Sequence, residues 1–186
     1  MEKNKRAVFL DRDGILNKDH GYVYRWDDFY FIEGIFDLLT LLQKNEYSLI
    51  VVTNQSGIAR GFYDEVAVKE LHTLMTSSLA KHNIFLTAVY YCPHLSTSSQ
   101  PAYSINCECR KPKPGMIFAA AKEHKIDLNN SMLIGDKVTD IEAGIAAGLS
   151  TNFLISDEDR GVECERYSSV NELYNVLSTR LSNSDC

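Results

Sequence analysis

The sequence predicts an α/β fold in which helices cover both faces of a parallel β-sheet. Short apolar segments of the buried-strand type alternate along the chain with segments of helical periodicity. Such alternation is typical of a Rossmann-like sheet, because parallel strands are joined by helical crossover connections. The length of 186 residues, with 45% apolar and 24% charged side chains, indicates one globular domain over residues 1–186.

Five strands and five helices are predicted from these patterns. The strands are the apolar segments 7–10, 49–52, 88–91, 132–134 and 153–155. The helices are predicted around residues 35–42, 68–79, 115–124, 139–147 and 170–181. The last helix follows a capping box, in which Ser169 precedes Glu172 by three positions.

One segment, residues 92–114, interrupts the alternation between the third strand and the third crossover helix. It holds all four prolines and three of the five cysteines. Irregular loops longer than about 15 residues within a domain are usually functional or disordered. The cysteines indicate that this loop is held in place.

A zinc site is predicted within residues 92–110. Cys92 and His94 form one close pair and Cys107 with Cys109 another, which together supply the soft, tetrahedral ligand set that Zn2+ prefers. Four protein ligands leave no open position, so the zinc is expected to be structural. The alternatives are disulfides or isolated buried cysteines. A bridge within Cys-x-Cys is strained, however, and a reducing compartment disfavours it.

Composition and charge argue against several classes of protein. A net charge of −6 argues against a general binder of nucleic acid or anionic membranes. No apolar segment approaches the roughly 18 residues of a membrane span, and the N-terminal apolar segment is too short for a secretory signal. We expect a cytoplasmic monomer that acts on a small molecule. The remaining cysteines, Cys164 and Cys186, are assigned no role.

Four polar clusters follow four of the predicted strands. They are Asp11-Arg12-Asp13-Gly14, Thr53-Asn54-Gln55-Ser56, Cys92-Pro93-His94 and Gly135-Asp136-Lys137. Ligands of open parallel sheets bind beyond the carboxyl ends of the strands, where these clusters would meet. An isolated acidic residue after a strand is more often a helix cap or a turn residue. Four clusters at one edge instead favour a binding site.

The two acidic residues that follow the first strand, Asp11 and Asp13, predict a metal site. Two carboxylates this near repel each other unless a cation or a proton separates them. Mg2+ prefers carboxylate oxygen, water and substrate phosphate, and would be bound by Asp11 and by Asp136 from across the edge. Asp13 can then stay protonated and act as a general acid. Asp140, one helical turn beyond Asp136, either supports that carboxylate or lies at the surface.

Cations accompany these acidic residues although the chain is acidic overall. A lysine, together with Mg2+ and the hydroxyl of Thr53, would neutralise the three equatorial oxygens of a phosphoryl group. The alternative is charge on solvated loops, which explains less well why cations and carboxylates recur at one edge. The cations in or beside the clusters are Arg12, Arg60, Arg110, Lys111, Lys113 and Lys137.

The order of these motifs resembles that of the haloacid dehalogenase (HAD) superfamily of phosphotransferases. Asp11-Arg12-Asp13-Gly14, Thr53-Asn54, Lys111 and Gly135-Asp136 match its four motifs in turn. Over residues 7–155 the chain further resembles the heptose-1,7-bisphosphate 7-phosphatase family of that superfamily. The segments that carry this resemblance are Asp-His-Gly-Tyr-Val at 19–23, Thr-Asn-Gln-Ser-Gly-Ile-Ala-Arg-Gly at 53–61, Tyr-Cys-Pro-His at 91–94 and Cys-Glu-Cys-Arg-Lys-Pro at 107–112.

The resemblance implies an Mg2+-dependent phosphatase with the HAD fold that works through an aspartyl-phosphate. Asp11 would be the nucleophile and Asp13 the acid and base, while Thr53 and Lys111 would hold the phosphoryl oxygens. Mg2+ would be bound by the Asp11 carboxylate, the Asp13 backbone carbonyl and Asp136. Arg110 would meet the phosphate that is retained. The residues implied in substrate recognition are Asp19, His20, Gly21, Tyr22, Asn54, Gln55, Ser56, Arg110 and Lys137.

Enzymes of the family that the chain resembles remove the C7 phosphate of D-glycero-D-manno-heptose 1,7-bisphosphate, on the route to the ADP- or GDP-heptose used in lipopolysaccharide and other glycoconjugates. Residues 14–52 and 57–109 leave no room for the full cap domain of many superfamily members, so an open site bordered by the zinc loop is expected. Three alternatives stay open. They are a histidinol-phosphate phosphatase, a non-catalytic zinc-braced binding module and a phospho-accepting receiver domain.

Overall fold

Six parallel strands form the sheet of the computed structural model, which describes residues 5–157 and 161–182. The strands are β1 (Ala7–Leu10), β2 (Ser48–Asn54), β3 (Leu86–Cys92), β4 (Met132–Gly135), β5 (Thr151–Ile155) and β6 (Glu165–Tyr167). Their order across the sheet is β3-β2-β1-β4-β5-β6. The strand order reverses between β1 and β4, and a reversal of this kind marks the place where such sheets bind ligands.

Six α-helices accompany the sheet. They are α1 (Ile35–Lys44), α2 (Ser56–Ala59), α3 (Glu65–Ala80), α4 (Gly115–His124), α5 (Val138–Ala147) and α6 (Val170–Ser182). The five predicted strands and five predicted helices are confirmed to within a few residues at their ends. No sequence pattern predicted α2 or β6. The first is a single turn, and the Glu-Arg-Tyr sequence of the second has no apolar run.

The predicted cap of α6 is present with one difference. The Ser169 hydroxyl accepts a hydrogen bond from the Glu172 amide at 3.2 Å. The Glu172 carboxylate reaches one residue further back than a capping box requires and accepts from the Ser168 amide at 2.7 Å. Of the two cysteines without an assigned role, Cys164 is partly buried against the apolar cluster that includes α4 and α5, and Cys186 lies outside the described residues.

Helices cover both faces of the sheet, as predicted. Val8 and Leu10 of β1 belong to one apolar cluster, with α1, α3 and α6. Ala7 and Phe9 belong to the opposite cluster, with α4 and α5, because successive side chains of a strand point to opposite faces. All four residues of β1 are fully buried. Asp11, which follows them, therefore extends from a rigidly packed strand.

Loops border the carboxyl edge of the sheet. The connection from β1 to α1 holds one 3-10 turn, Trp26–Asp28, and the connection from β2 to β3 holds only α2 and α3. A site at this edge is consequently open to solvent between loops.

Among the described residues, no helix is both long and apolar enough to cross a membrane.

Candidate active site

A buried lysine lies between two carboxylates at the carboxyl end of β1. Lys111 Nζ is 2.8 Å from Asp11 Oδ1 and 2.6 Å from Asp140 Oδ1, and it donates to the Val52 carbonyl at 2.7 Å. Three oxygen acceptors match the three donors of an ammonium group. Asp140 is 1% exposed. It therefore lies in the site and not at the surface, and it contacts Lys111.

The buried charges in this group shift one another's protonation. Burial raises the pKa of Asp11, and the attraction of Lys111 opposes that shift. Burial by itself would lower the pKa of Lys111, but the carboxylates of Asp11 and Asp140 outweigh it, so the net shift is upward. Lys111 is therefore a permanent cation beside Asp11 at neutral pH.

Asp136 follows β4, the strand that pairs with β1, and it completes a group of three carboxylates. Oxygens of Asp11, Asp136 and Asp140 lie within 4.8 Å of one another. Burial, followed by repulsion from Asp11, raises the pKa of Asp136 to about 7. Its Oδ1 is buried without a hydrogen-bond partner, and a buried carboxylate oxygen in that state is costly unless a cation binds it.

This donor set fits Mg2+. All of the candidate ligands are oxygens, and Asp140 is already engaged with Lys111 and with the Lys137 amide, which leaves Asp11 and Asp136 for the metal. The approach of the two loops also requires Gly14. A Cβ at that position would overlap the Asp136 carboxylate, and its φ of +96° lies in the region that favours glycine.

Asp13 lies in a hydrogen-bond network of its own. Its two oxygens accept from the guanidinium of Arg12 at 2.9 to 3.2 Å, from Asn17 Nδ2 at 3.0 Å and from Gln55 Nε2 at 3.0 Å. The proposed acid and base is thus fixed in orientation by three neighbours. That Asp13 acts as acid and base stays a prediction.

Arg12 was expected among the phosphate-binding cations, and the structure corrects this. Its side chain is fully buried and donates to Asp13 and to the Val23 carbonyl, so it is turned away from a ligand in the site. Lys113 is paired with Glu108 instead, and Arg60 is exposed. Lys111 at the centre and Lys137 at the entrance supply the positive charge.

Gln55 connects Asp13 to Thr53. Its Nε2 donates to the Thr53 hydroxyl at 2.9 Å as well as to Asp13, while its Oε1 accepts from the Tyr63 hydroxyl at 2.9 Å. Burial raises the pKa of Tyr63 to about 12, which keeps that hydroxyl a donor. Asn54 exchanges two hydrogen bonds of 3.1 Å with the backbone of Lys111, so it positions the lysine.

A cavity of about 300 Å³ opens beside Asp13. Seven of the nine predicted recognition residues line it: Asp19, Gly21, Tyr22, Asn54, Gln55, Ser56 and Lys137. An ion pair of 2.9 Å joins Asp19 to Lys137 at its entrance. His20 is exposed outside this lining, near Tyr30. Arg110 lines a second cavity of about 200 Å³, which Lys111 also borders.

The four predicted zinc ligands come together. Sulfur–sulfur distances among Cys92, Cys107 and Cys109 are 2.9 to 3.5 Å, and His94 Nδ1 lies 3.3 Å from Cys109 Sγ. Tetrahedral bonds of about 2.3 Å require slightly wider spacings, near 3.8 Å. Burial raises the pKa of Cys92, whereas hydrogen bonds with Cys109 and Cys92 outweigh burial and lower that of Cys107 to about 7. The donor set therefore fits Zn2+, and Cys92, Cys107 and Cys109 form no disulfide.

His72 of α3 is a site residue that the sequence analysis missed. It is 7% exposed, and its Nε2 lies 3.1 Å from Arg12 Nη1. Burial, and next the positive charge of Arg12, lower its pKa to about 3, so the ring is neutral and accepts from the arginine. The spacing of the sequence could have indicated its burial, because His72 lies four residues after Val68 and three before Met75 on the apolar face of the helix.

Comparisons with known proteins agree with this geometry. A family model described as HAD-hydrolase-like matches residues 108–175. The chain is 44% identical to the D-glycero-beta-D-manno-heptose-1,7-bisphosphate 7-phosphatase of Photorhabdus laumondii, over 96% of this chain and 94% of that protein. It is 49% identical to the protein of that name from Haemophilus influenzae, over 81% of each. The crystal structure of a D,D-heptose 1,7-bisphosphate phosphatase from B. bronchiseptica, complexed with magnesium and phosphate, matches with a TM-score of 0.79 and 26% identity, covering 94% of this chain and 99% of that one.

Replacement of His72 by Gln is expected to reduce the acid sensitivity of the fold. In the unfolded chain histidine binds a proton near pH 6.5, whereas the folded ring resists it down to about pH 3. Stability is therefore unaffected above pH 6.5 and falls by about 1.4 kcal/mol per pH unit below it. Urea unfolding at pH 7.5 and 5.0 should show the wild type losing about 2 kcal/mol more than His72→Gln. Equal losses, or an equal effect of the exposed control His20→Gln, would contradict this account.

Proposed function

The chain belongs to the D-glycero-beta-D-manno-heptose-1,7-bisphosphate 7-phosphatase family of HAD-like hydrolases, and we propose that it removes the C7 phosphate of that sugar bisphosphate. One observation of the site supports this most directly. The buried pair of Asp11 and Lys111 lies beside Asp136, whose buried Oδ1 has no partner. A nucleophile, a cation for phosphoryl oxygens and a metal-binding carboxylate are thus assembled at one point.

In the proposed mechanism, Asp11 attacks the C7 phosphorus. Lys111 donates to Oδ1 of Asp11 and so orients the carboxylate. The new bond joins a carboxylate oxygen of Asp11 to phosphorus, the bond from phosphorus to the sugar oxygen breaks, and Asp13 donates a proton to the departing sugar oxygen. Asp13 then takes a proton from water, which attacks the aspartyl-phosphate and releases inorganic phosphate.

The phosphoryl oxygens would be held by Lys111 and by the Thr53 hydroxyl. Thr53 is 1% exposed and is already oriented by Gln55. Lys111 is fixed at both ends, since Asn54 holds its backbone and Asp140 its ammonium group. To bind a phosphoryl oxygen, Lys111 would exchange one of its three protein acceptors for it. Thr53 accepts from Gln55 and so keeps its own hydroxyl proton for donation.

Two metal ions complete the proposal. Mg2+ would be held by the carboxylates of Asp11 and Asp136 and by the backbone carbonyl of Asp13, and it supplies charge neutralisation for the phosphoryl group. Zn2+ would be held by Cys92, His94, Cys107 and Cys109. Because Lys111 follows Cys109 by two residues, a fixed cysteine restrains the backbone that carries the lysine.

Arg110 is proposed to meet the phosphate that the reaction retains. Its guanidinium donates to the His94 carbonyl at 3.2 Å, which ties it to the zinc loop, and it lines the cavity of about 200 Å³. Lys111 borders that same cavity and also contacts Asp11. Lys111 thus links the second cavity to the reacting carboxylate.

The alternatives are less well supported. A histidinol-phosphate phosphatase would share the catalytic group. The relatives described above, however, are named heptose-bisphosphate phosphatases, and the match to them covers most of their length. A non-catalytic module would be expected to have lost an acidic residue, yet Asp11, Asp13 and Asp136 are all in place. A receiver domain does not account for the zinc ligands or for Thr53 and Asn54.

The substrate assignment predicts a clear preference. With Mg2+ present, kcat/KM for phosphate release from D-glycero-beta-D-manno-heptose 1,7-bisphosphate should exceed that for histidinol phosphate by at least about a hundredfold, equivalent to roughly 3 kcal/mol of transition-state binding. Both substrates are to be measured side by side with the same preparation. A preference for histidinol phosphate would leave the site intact and overturn the heptose assignment.

Asp11→Asn should lower kcat by at least about a thousandfold, because an amide is a poor nucleophile. Phosphate release measures the loss, and circular dichroism checks that the fold is kept. Asp37→Asn, an exposed change on α1, serves as the matched control. Excess Mg2+ should not restore Asp11→Asn. Recovery of activity at high Mg2+ would mean that Asp11 binds metal without acting as the nucleophile.

Metal analysis of the native protein should find about one zinc per chain. Cys107→Ser should lose that zinc and lower kcat/KM at least about tenfold through displacement of Arg110 and Lys111. Cys164→Ser is the control, since Cys164 is also a partly buried cysteine but lies outside the cluster. Native protein that is active without zinc would overturn the structural role of the cluster.

A further inference from the structure

We propose that Phe62 is a positioning residue for substrate specificity: it holds the ring of Tyr22 at the side of the substrate cavity, where that ring packs against the carbon skeleton of the sugar. The role assigned to Phe62 rests on the proposed function. It concerns the non-reacting part of the substrate, which the catalytic group around Asp11 does not recognise.

The two rings meet at the edge of the cavity. Tyr22 lines the cavity, and the Phe62 ring contacts it edge to face, with centroids 4.7 Å apart and an angle of 79° between the planes. Tyr22 is 45% exposed and Phe62 55% exposed. Neither ring is therefore placed by burial in the core, and each keeps an exposed apolar surface.

The remainder of the cavity lining is mostly polar. Tyr22 and Tyr63 are its aromatic members, and the Tyr63 hydroxyl is already bonded to Gln55. The other lining residues are Asp13, Asp19, Gly21, Asn54, Gln55, Ser56 and Lys137. These groups can bond hydroxyls and phosphate, whereas the C–H face of a sugar needs an apolar partner. The electron-rich face of the Tyr22 ring supplies one.

The backbone explains why Tyr22 needs outside support. Its φ is +53°, a conformation that is unfavourable for a residue with a side chain, and Gly21 before it has a φ of +87°. Asp19 holds one end of this turn through the Gly21 amide at 3.0 Å. On the far side, Phe62 contacts Tyr22, and Tyr24 stacks on Tyr63 with centroids 4.9 Å apart.

Two aromatic contacts therefore join the loop of residues 18–24 to the loop of residues 60–64. The contact of Tyr24 with Tyr63, which lines the cavity, joins the two loops. The contact of Phe62 with Tyr22 fixes one ring at the entrance. Loss of Phe62 leaves Tyr22 free to rotate away, which weakens sugar binding and leaves the phosphoryl-transfer group unchanged.

Kinetics of Phe62→Ala test this inference, with two substrates. For the heptose bisphosphate we expect KM to rise between about two- and tenfold, the range for loss of one aromatic pair, with kcat within twofold of wild type. For glycerol 1-phosphate, which has a phosphate but no sugar ring, kcat/KM should not change. Phe62→Tyr keeps the ring and should restore the wild-type KM. Phe85→Ala, a truncation of another exposed phenylalanine, should alter neither substrate.

The possible results separate the inference from the proposed function. Unchanged KM for the heptose bisphosphate in Phe62→Ala overturns the role of Phe62 alone. An equal loss with both substrates, or no rescue by Phe62→Tyr, shows a merely structural role and also overturns it. A wild-type enzyme that does not hydrolyse the heptose bisphosphate overturns the proposed function, and the specificity role falls with it.

Discussion

The ion pair between Lys111 and Asp11 is the interaction on which the rest of the site depends. Both groups are almost completely buried, and a buried charge that loses its partner is destabilising by about 3–5 kcal/mol. Asp140 and the Val52 carbonyl complete the lysine's acceptors. Oxygens of three carboxylates, those of Asp11, Asp136 and Asp140, lie within 4.8 Å of one another, and two lysines, Lys111 and Lys137, contact them. That imbalance favours a divalent cation, and the unpartnered oxygen of Asp136 marks where it would bind.

The lysine reaches this position from a loop, and the loop needs restraints that a strand would not. Asp11 and Asp136 extend from adjacent strands, so the sheet alone places them. Lys111 follows the second pair of cysteines, and its backbone is held by Asn54 at the end of β2. The loop of Cys92, His94, Cys107 and Cys109 and the Asn54 amide thus do for Lys111 what strand pairing does for the aspartates. A metal held by these four side chains would restrain the backbone that carries Lys111.

The sequence predicted the groups that topology brings together, because the carboxyl ends of parallel strands meet at one edge. It predicted less well where each side chain turns after leaving its strand. Arg12 lies between two aspartates in the sequence, yet its guanidinium is buried against Asp13, Val23 and His72. Nothing local distinguishes a cation that faces a phosphate from one that supports a carboxylate. That choice depends on residues far along the chain, such as His72 on α3, whose partner becomes evident only when the helix is packed.

The arrangement divides catalysis from selectivity. Close to β1 most polar groups are bonded to one another, so small changes there disturb several charges at once and would affect any phosphate ester equally. The residues that distinguish one sugar from another must therefore lie where a substitution alters one contact and leaves the charges in balance. The half-exposed rings at the cavity entrance meet that condition, since they come from loops that the sheet does not constrain. The hydrogen-bonded network around Asp13 does not meet that condition, because its members already hold one another in place.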